Sequence, residues 1–223
     1  MNKDGKRINL ALGFLRTAYN DYIAARVLLN KGYTLQGMML ASTAIEKYFK
    51  TAICIWTGEI LKVHMDRFDL IKEEVVKMGY NIIFDKIDPQ FFELLSKAYK
   101  VRYYDSITEP MTIGFFKNQF LGELDGAVEL FERLLQLRNE ASGEKVLSPL
   151  KMDFCSRNAD LLENNWVTST EKDKKKFMES DCIGFAVHIE PQSLFSEIRI
   201  FSQPGYVKYD GSMALIHIKP ETM

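Results

Sequence analysis

The chain is poor in the residues that usually carry catalytic or structural chemistry. It has three cysteines, Cys54, Cys155 and Cys182, with no CxxC pair among them. An odd and scattered set argues against a disulfide framework and against a structural zinc site, so no metal site is expected. Histidine is as scarce: His64, His188 and His217 are the full complement. GxGxxG, P-loop, HExxH, GxSxG and EF-hand patterns are all missing, so the familiar small-molecule enzyme classes lose their support and no cofactor is expected. An excess of one charge is missing too. Lysine and arginine number 29 against 30 acids, a net charge of −1, which offers no general attraction to nucleic acid or to an anionic membrane. The longest strongly apolar stretch, 38–56, is interrupted by Glu46, Lys47 and Lys50, too many charges for a membrane span. The opening MNKDGKR lacks the apolar region of a signal peptide, and a cytoplasmic location is the expectation.

What the chain does have is apolar residues at helical spacing. Hydrophobic residues make up 47% of it, ample for a core. From 8 to 30, Ala11, Phe14, Leu15, Ala18, Tyr22, Ala25 and Leu29 recur at three- and four-residue steps, the signature of one helix face. A second helix, 34–56, is apolar around most of its circumference and belongs at the centre of a bundle, with Gly58 as its stop. A third is predicted over 66–77. The fourth opens on Asp88-Pro89, a capping side chain followed by the residue best suited to the first helical position. A fifth, 115–140, carries Phe120, Leu124, Ala127, Phe131, Leu134 and Leu135 on one stripe. Beyond Pro149 a short helix over 152–163 leads into a polar loop, 169–181. Three strand-like runs follow, 182–189, 194–201 and 212–218, separated by turn residues. The expected fold is mainly α: a helical bundle over 1–147 and a C-terminal α+β extension over 148–223, with a short helix and a β-meander.

Two polar patterns stand out on these elements. Thr43, Glu46, Lys47 and Lys50 form a polar stripe on the second helix, readable either as a ligand-binding face or as a solvated face stitched by a Glu46–Lys50 pair. Tyr99, Arg102 and Tyr103 cluster near the end of the fourth helix. An arginine beside tyrosines can hold a phosphate while a ring stacks on a base, or it can cap the last carbonyls while the rings pack. His64 reads either as a catalytic base or as a capping and packing residue. His188, His217 and Cys182 match no known metal-ligand spacing.

At these residues the sequence resembles the HEPN family, the higher eukaryotes and prokaryotes nucleotide-binding domain. The resemblance rests on Ala18-x-x-Asp21-Tyr22-x-x-Ala25, on Ala44-Ile45-Glu46-Lys47-x-x-Lys50, on His64, and on Leu95-Ser96-x-Ala98-Tyr99-x-x-Arg102-Tyr103. It spans about residues 8–140 and leaves the C-terminal extension untouched. It implies an antiparallel four- or five-helix bundle, frequently a homodimer, that binds nucleotide or RNA or pairs with a nucleotidyltransferase-type partner. Ribonuclease members carry an arginine, usually followed by a polar residue, with a histidine several residues later. Here Arg138-Asn139 fits that start, and no histidine occurs between His64 and His188. Activating a ribose hydroxyl near neutral pH calls for a group titrating there, and histidine is the side chain that does so unperturbed. The expected function is therefore a binding module for nucleotide, RNA or a partner protein, with Glu46, Lys47, Lys50, Arg102 and Tyr103 as its ligand-binding residues and no catalytic residue assigned. An active or relic ribonuclease of a toxin–antitoxin system and a structural interaction protein are the alternatives.

Overall fold

The structure is a computed structural model and describes residues 3–103, 107–136, 147–180, 183–191, 196–201 and 207–216. Its first two helices, α1 (Lys3–Asn30) and α2 (Thr34–Thr57), form an antiparallel hairpin. The spacing of their apolar residues explains the pairing. Ala11, Leu15, Ala18, Tyr22, Ala25 and Leu29 of α1 are all buried, and α2 is buried around most of its circumference. Gly58 ends α2 in the left-handed region (φ 77°), its N–H reaching Cys54 O, a conformation that glycine adopts without steric cost.

A single 3-10 turn, Met65–Arg67, leads into α3 (Phe68–Lys77), the short α4 (Ile82–Lys86) and α5 (Pro89–Val101). The cap read from the sequence is present: Asp88 Oδ1 accepts from the Gln90 N–H at 2.8 Å, with Pro89 opening the helix. α6 (Lys117–Leu134) buries Phe120, Leu124, Ala127 and Phe131 against α1 and α2. Phe49 stands at the centre of the resulting core. Its ring meets Phe131 edge-on with centroids 4.9 Å apart and also touches Phe68, Phe84 and Phe92. Truncating such a ring costs about 3–5 kcal/mol.

The sheet differs from the expected meander. Among the described residues it has three antiparallel strands in the order β1-β2-β3, and the first, β1 (Met111–Phe116), lies between α5 and α6. β1 pairs with β2 (Ile183–Ile189), Met111 opposite Ile189 and Phe116 opposite Gly184, and β3 (Ser196–Phe201) pairs with the other edge of β2. The segment MTIGFF is short, and its strand character comes from a partner far along the chain. The expected third strand, 212–218, is reduced to one bridge between Leu215 and Phe115, with the Ile216 N–H on Gly114 O at 3.1 Å; residues 217–218 lie outside the described residues. A Cβ on Gly114 would sit 2.2 Å from Ile216 O, so this approach requires glycine. The sheet thus joins the C-terminal residues to the helical part instead of standing apart from it.

The short helix expected over 152–163 is two, α7 (Pro149–Ser156) and α8 (Ala159–Leu162), because Arg157 turns left-handed (φ 57°) between them. The polar stretch expected as loop contains α9 (Lys174–Ser180), anchored by the buried Met178 against Gly122. The helix expected from 115, α6, begins at Lys117, two residues later than expected, since β1 occupies Phe115 and Phe116. Among the described residues no helix is long and apolar enough to cross a membrane.

Candidate functional site

The polar stripe of α2 is roofed by the 3-10 turn and by α5, and this changes its character. Glu46 is only 7% exposed. Its Oε1 accepts from Lys50 Nζ at 2.7 Å and lies 3.0 Å from His64 Nδ1, while its Oε2 accepts the Met65 N–H at 3.0 Å. One carboxylate therefore anchors the start of the 3-10 turn to α2 and fixes the imidazole. The solvated-face reading does not hold for Glu46 and Lys50, both of which are buried. A buried pair of this kind offsets its desolvation only when its remaining lone pairs are filled, as Met65 and His64 fill them here.

From His64 a line of rings runs outward. The imidazole, with its side chain 53% exposed, stacks on Tyr99 at 5.4 Å and 21°. Tyr99 meets Tyr103 at 5.5 Å. Burial, reinforced by a hydrogen bond with Tyr103, holds the Tyr99 hydroxyl well above its ordinary pKa, so it stays protonated. Arg102 places its guanidinium 5.5 Å from the centre of the Tyr99 ring and donates to Met39 O at 3.0 Å and to Thr43 Oγ1. Arginine carries five N–H donors, so these two bonds orient the group and leave donors for an incoming oxygen. The result is an edge made of imidazole, two phenols and a guanidinium, with Tyr103 48% exposed.

Of the five expected ligand residues, Glu46, Lys50, Arg102 and Tyr103 are linked in this way through His64 and Tyr99. Lys47 is not among them. One residue on from Glu46 it turns toward α1, where its Nζ lies 2.6 Å from Asp21 Oδ2. His188 is a packing residue between Thr112 Oγ1 and Glu190 Oε1, each 2.9 Å from a ring nitrogen. Among the described residues no group of three His, Cys, Asp or Glu side chains is placed to hold a metal. The Arg138-Asn139 stretch, Cys182 and His217 lie outside the described residues.

A second polar cluster escaped sequence reasoning. Arg26 and Asp125, both fully buried, form an ion pair between α1 and α6. Tyr22 donates to the same Asp125 Oδ1 at 2.9 Å, and Arg26 also reaches the carbonyls of Glu163 and Asn164. Burial raises the Asp125 pKa even though Arg26 opposes the shift. The signal available in the sequence was a lone arginine between Ala25 and Leu29 on an apolar stripe. Glu123, also fully buried, accepts from Tyr209 Oη at 2.9 Å and from Lys174 Nζ at 2.8 Å, tying residues 207–216 to α6.

Comparison with known proteins gives no match: no family model, no curated protein and no solved structure is significantly similar to this chain.

Proposed function

We propose that the chain is a HEPN-like binding module that takes a nucleotide or RNA phosphate on the edge formed by His64, Tyr99, Arg102 and Tyr103. The observation that supports it best is the ring line with a guanidinium at its side, exposed at Tyr103 and held from behind by the buried Glu46. Flat rings accept stacked bases without regard to sequence, and a forked donor suits a phosphate. The edge binds; it is assigned no cleavage, since no histidine lies between Arg138-Asn139 and His188. The same proposal includes self-association as a homodimer and pairing with a nucleotidyltransferase-type protein, both drawn from the resemblance.

Fluorescence anisotropy with a short fluorescein-labelled oligouridine tests it. Binding that weakens with added salt, and weakens about tenfold when Arg102 or Tyr103 becomes alanine, supports the reading. An oligonucleotide that fails to bind, or binds unchanged to both variants, removes it. Sedimentation of the purified chain checks the dimer.

A further inference from the structure

The imidazole of His64 has one nitrogen committed and one open. Nδ1 lies 3.0 Å from Glu46 Oε1, and the same carboxylate oxygen accepts from Lys50 Nζ at 2.7 Å. An ion-paired carboxylate has no proton to give, so the hydrogen between Glu46 and the ring belongs to Nδ1. In the neutral imidazole that leaves Nε2 as an acceptor. Nδ1 points inward at a buried carboxylate, and Nε2 therefore points to the other side of a ring whose side chain is 53% exposed. Among the described residues no hydrogen bond ends on Nε2. The bond to Glu46 and the stack on Tyr99 together fix the orientation of the ring.

The other parts of the edge ask different things of a ligand. Arg102, which has only donors to offer, lies 5.5 Å from the centre of the Tyr99 ring, and His64 lies 5.4 Å from that same centre. A single nucleotide is long enough to reach both. Its phosphate is an acceptor, which suits Arg102 and has nothing to give a neutral Nε2. Its base, laid on the rings, contributes a face. What remains is the sugar. The 2′-hydroxyl is the donor that a ribonucleotide carries whatever its base and that a deoxyribonucleotide lacks.

We propose that His64 reads the sugar: Nε2 accepts a hydrogen bond from a ligand 2′-hydroxyl, so the edge selects ribonucleotides over deoxyribonucleotides. This rests on the binding reading given above and adds to it the class of sugar. Stacking and the guanidinium hold either kind of strand, and the imidazole tells them apart.

Anisotropy titrations of the full chain with three fluorescein-labelled strands of equal length test the proposal at pH 8, above the range over which histidine ordinarily titrates. The strands are oligouridine, oligodeoxyuridine, and oligouridine with fluorine in place of each 2′-hydroxyl, which keeps a ribose-like ring without the donor. Wild-type protein is expected to bind oligouridine about three- to tenfold more tightly than either of the others, the worth of one hydrogen bond. His64→Phe keeps a ring for the Tyr99 stack and removes the acceptor, and should bring the three affinities together. Equal affinity of the wild type for all three overturns the proposal, as does a 2′-fluoro strand that binds as tightly as RNA, or a preference that survives His64→Phe. Binding that is equal for the three yet weakened by Arg102→Ala removes the sugar reading alone, whereas failure of all three to bind removes the binding reading with it. The comparison of strands on the wild type needs no variant, so a poorly folding substitution cannot leave the matter open.

Discussion

Two clusters of charged side chains are built on the α1–α2 hairpin, and they are put to opposite uses. Arg26 and Asp125 are closed inside the protein, with Tyr22 and two backbone carbonyls completing their shell. Glu46 is buried as well, but the imidazole it holds is half in solvent and begins a row of rings that ends on the surface. Sealed charge of the first kind joins elements, here α1, α6 and the turn at 163–165. Charge that positions an exposed group, as Glu46 positions His64, is the kind a ligand can use.

The sharpest way to break the comparison is at its interior half. Asp125→Ala leaves the Arg26 guanidinium buried without its counter-charge, and a loss of about 3–5 kcal/mol of unfolding free energy is expected in urea denaturation. Oligonucleotide affinity of the folded fraction should not change. Glu46→Ala straddles the two halves. It removes the acceptor of the Met65 N–H and the anchor of His64, so a loss of about 1–3 kcal/mol in stability is expected together with weaker binding. Arg102→Ala should do the reverse of Asp125→Ala, weakening the oligonucleotide about tenfold while stability moves by less than about 1 kcal/mol, as expected of an exposed side chain.

A smaller, pH-dependent effect belongs to Glu132. Its carboxyl is held above the ordinary range by burial, so the fold favours the protonated form. Its contribution is most favourable below the ordinary glutamate pKa and declines as pH rises toward the raised value. Glu132→Gln removes that decline, and its stability relative to the wild type should therefore increase from pH 4 to pH 7 in paired urea titrations. A gap that is flat or shrinks over that interval contradicts the assignment. The smallest effect is expected from Lys47→Ala. Its pair with Asp21 is partly solvated and worth no more than about 1 kcal/mol, and binding should be unaltered.

α1, α2, α3, α5 and α6 were legible in the sequence because their signals are local, whereas α4 and α9 were not expected. The 3.6-residue stripe of α1, the Asp88-Pro89 opening of α5 and the glycine stop after α2 each depend on residues within one or two turns. β1 was not, since MTIGFF becomes a strand only through pairing with residues 184–189. The break between α7 and α8 was hidden for another reason: a left-handed arginine carries no sequence mark. The site was half legible. Glu46 and Lys50 came from a polar stripe on an apolar helix, and Arg102 with Tyr103 from their spacing. The part played by His64 required knowing that the 3-10 turn folds back over α2. Lys47 shared the stripe yet faces α1, because adjacent helical residues point about 100° apart.

The claim that the exposed edge is a ligand-binding surface is tested most directly by one titration. Labelled oligouridine is followed by anisotropy against the wild-type chain, the Arg102→Ala, Tyr103→Ala double variant, and Lys47→Ala. Binding to the wild type and to Lys47→Ala with equal affinity is expected, with at least a tenfold loss in the double variant at unchanged melting temperature. Equal binding by all three, or a loss confined to Lys47→Ala, would contradict it.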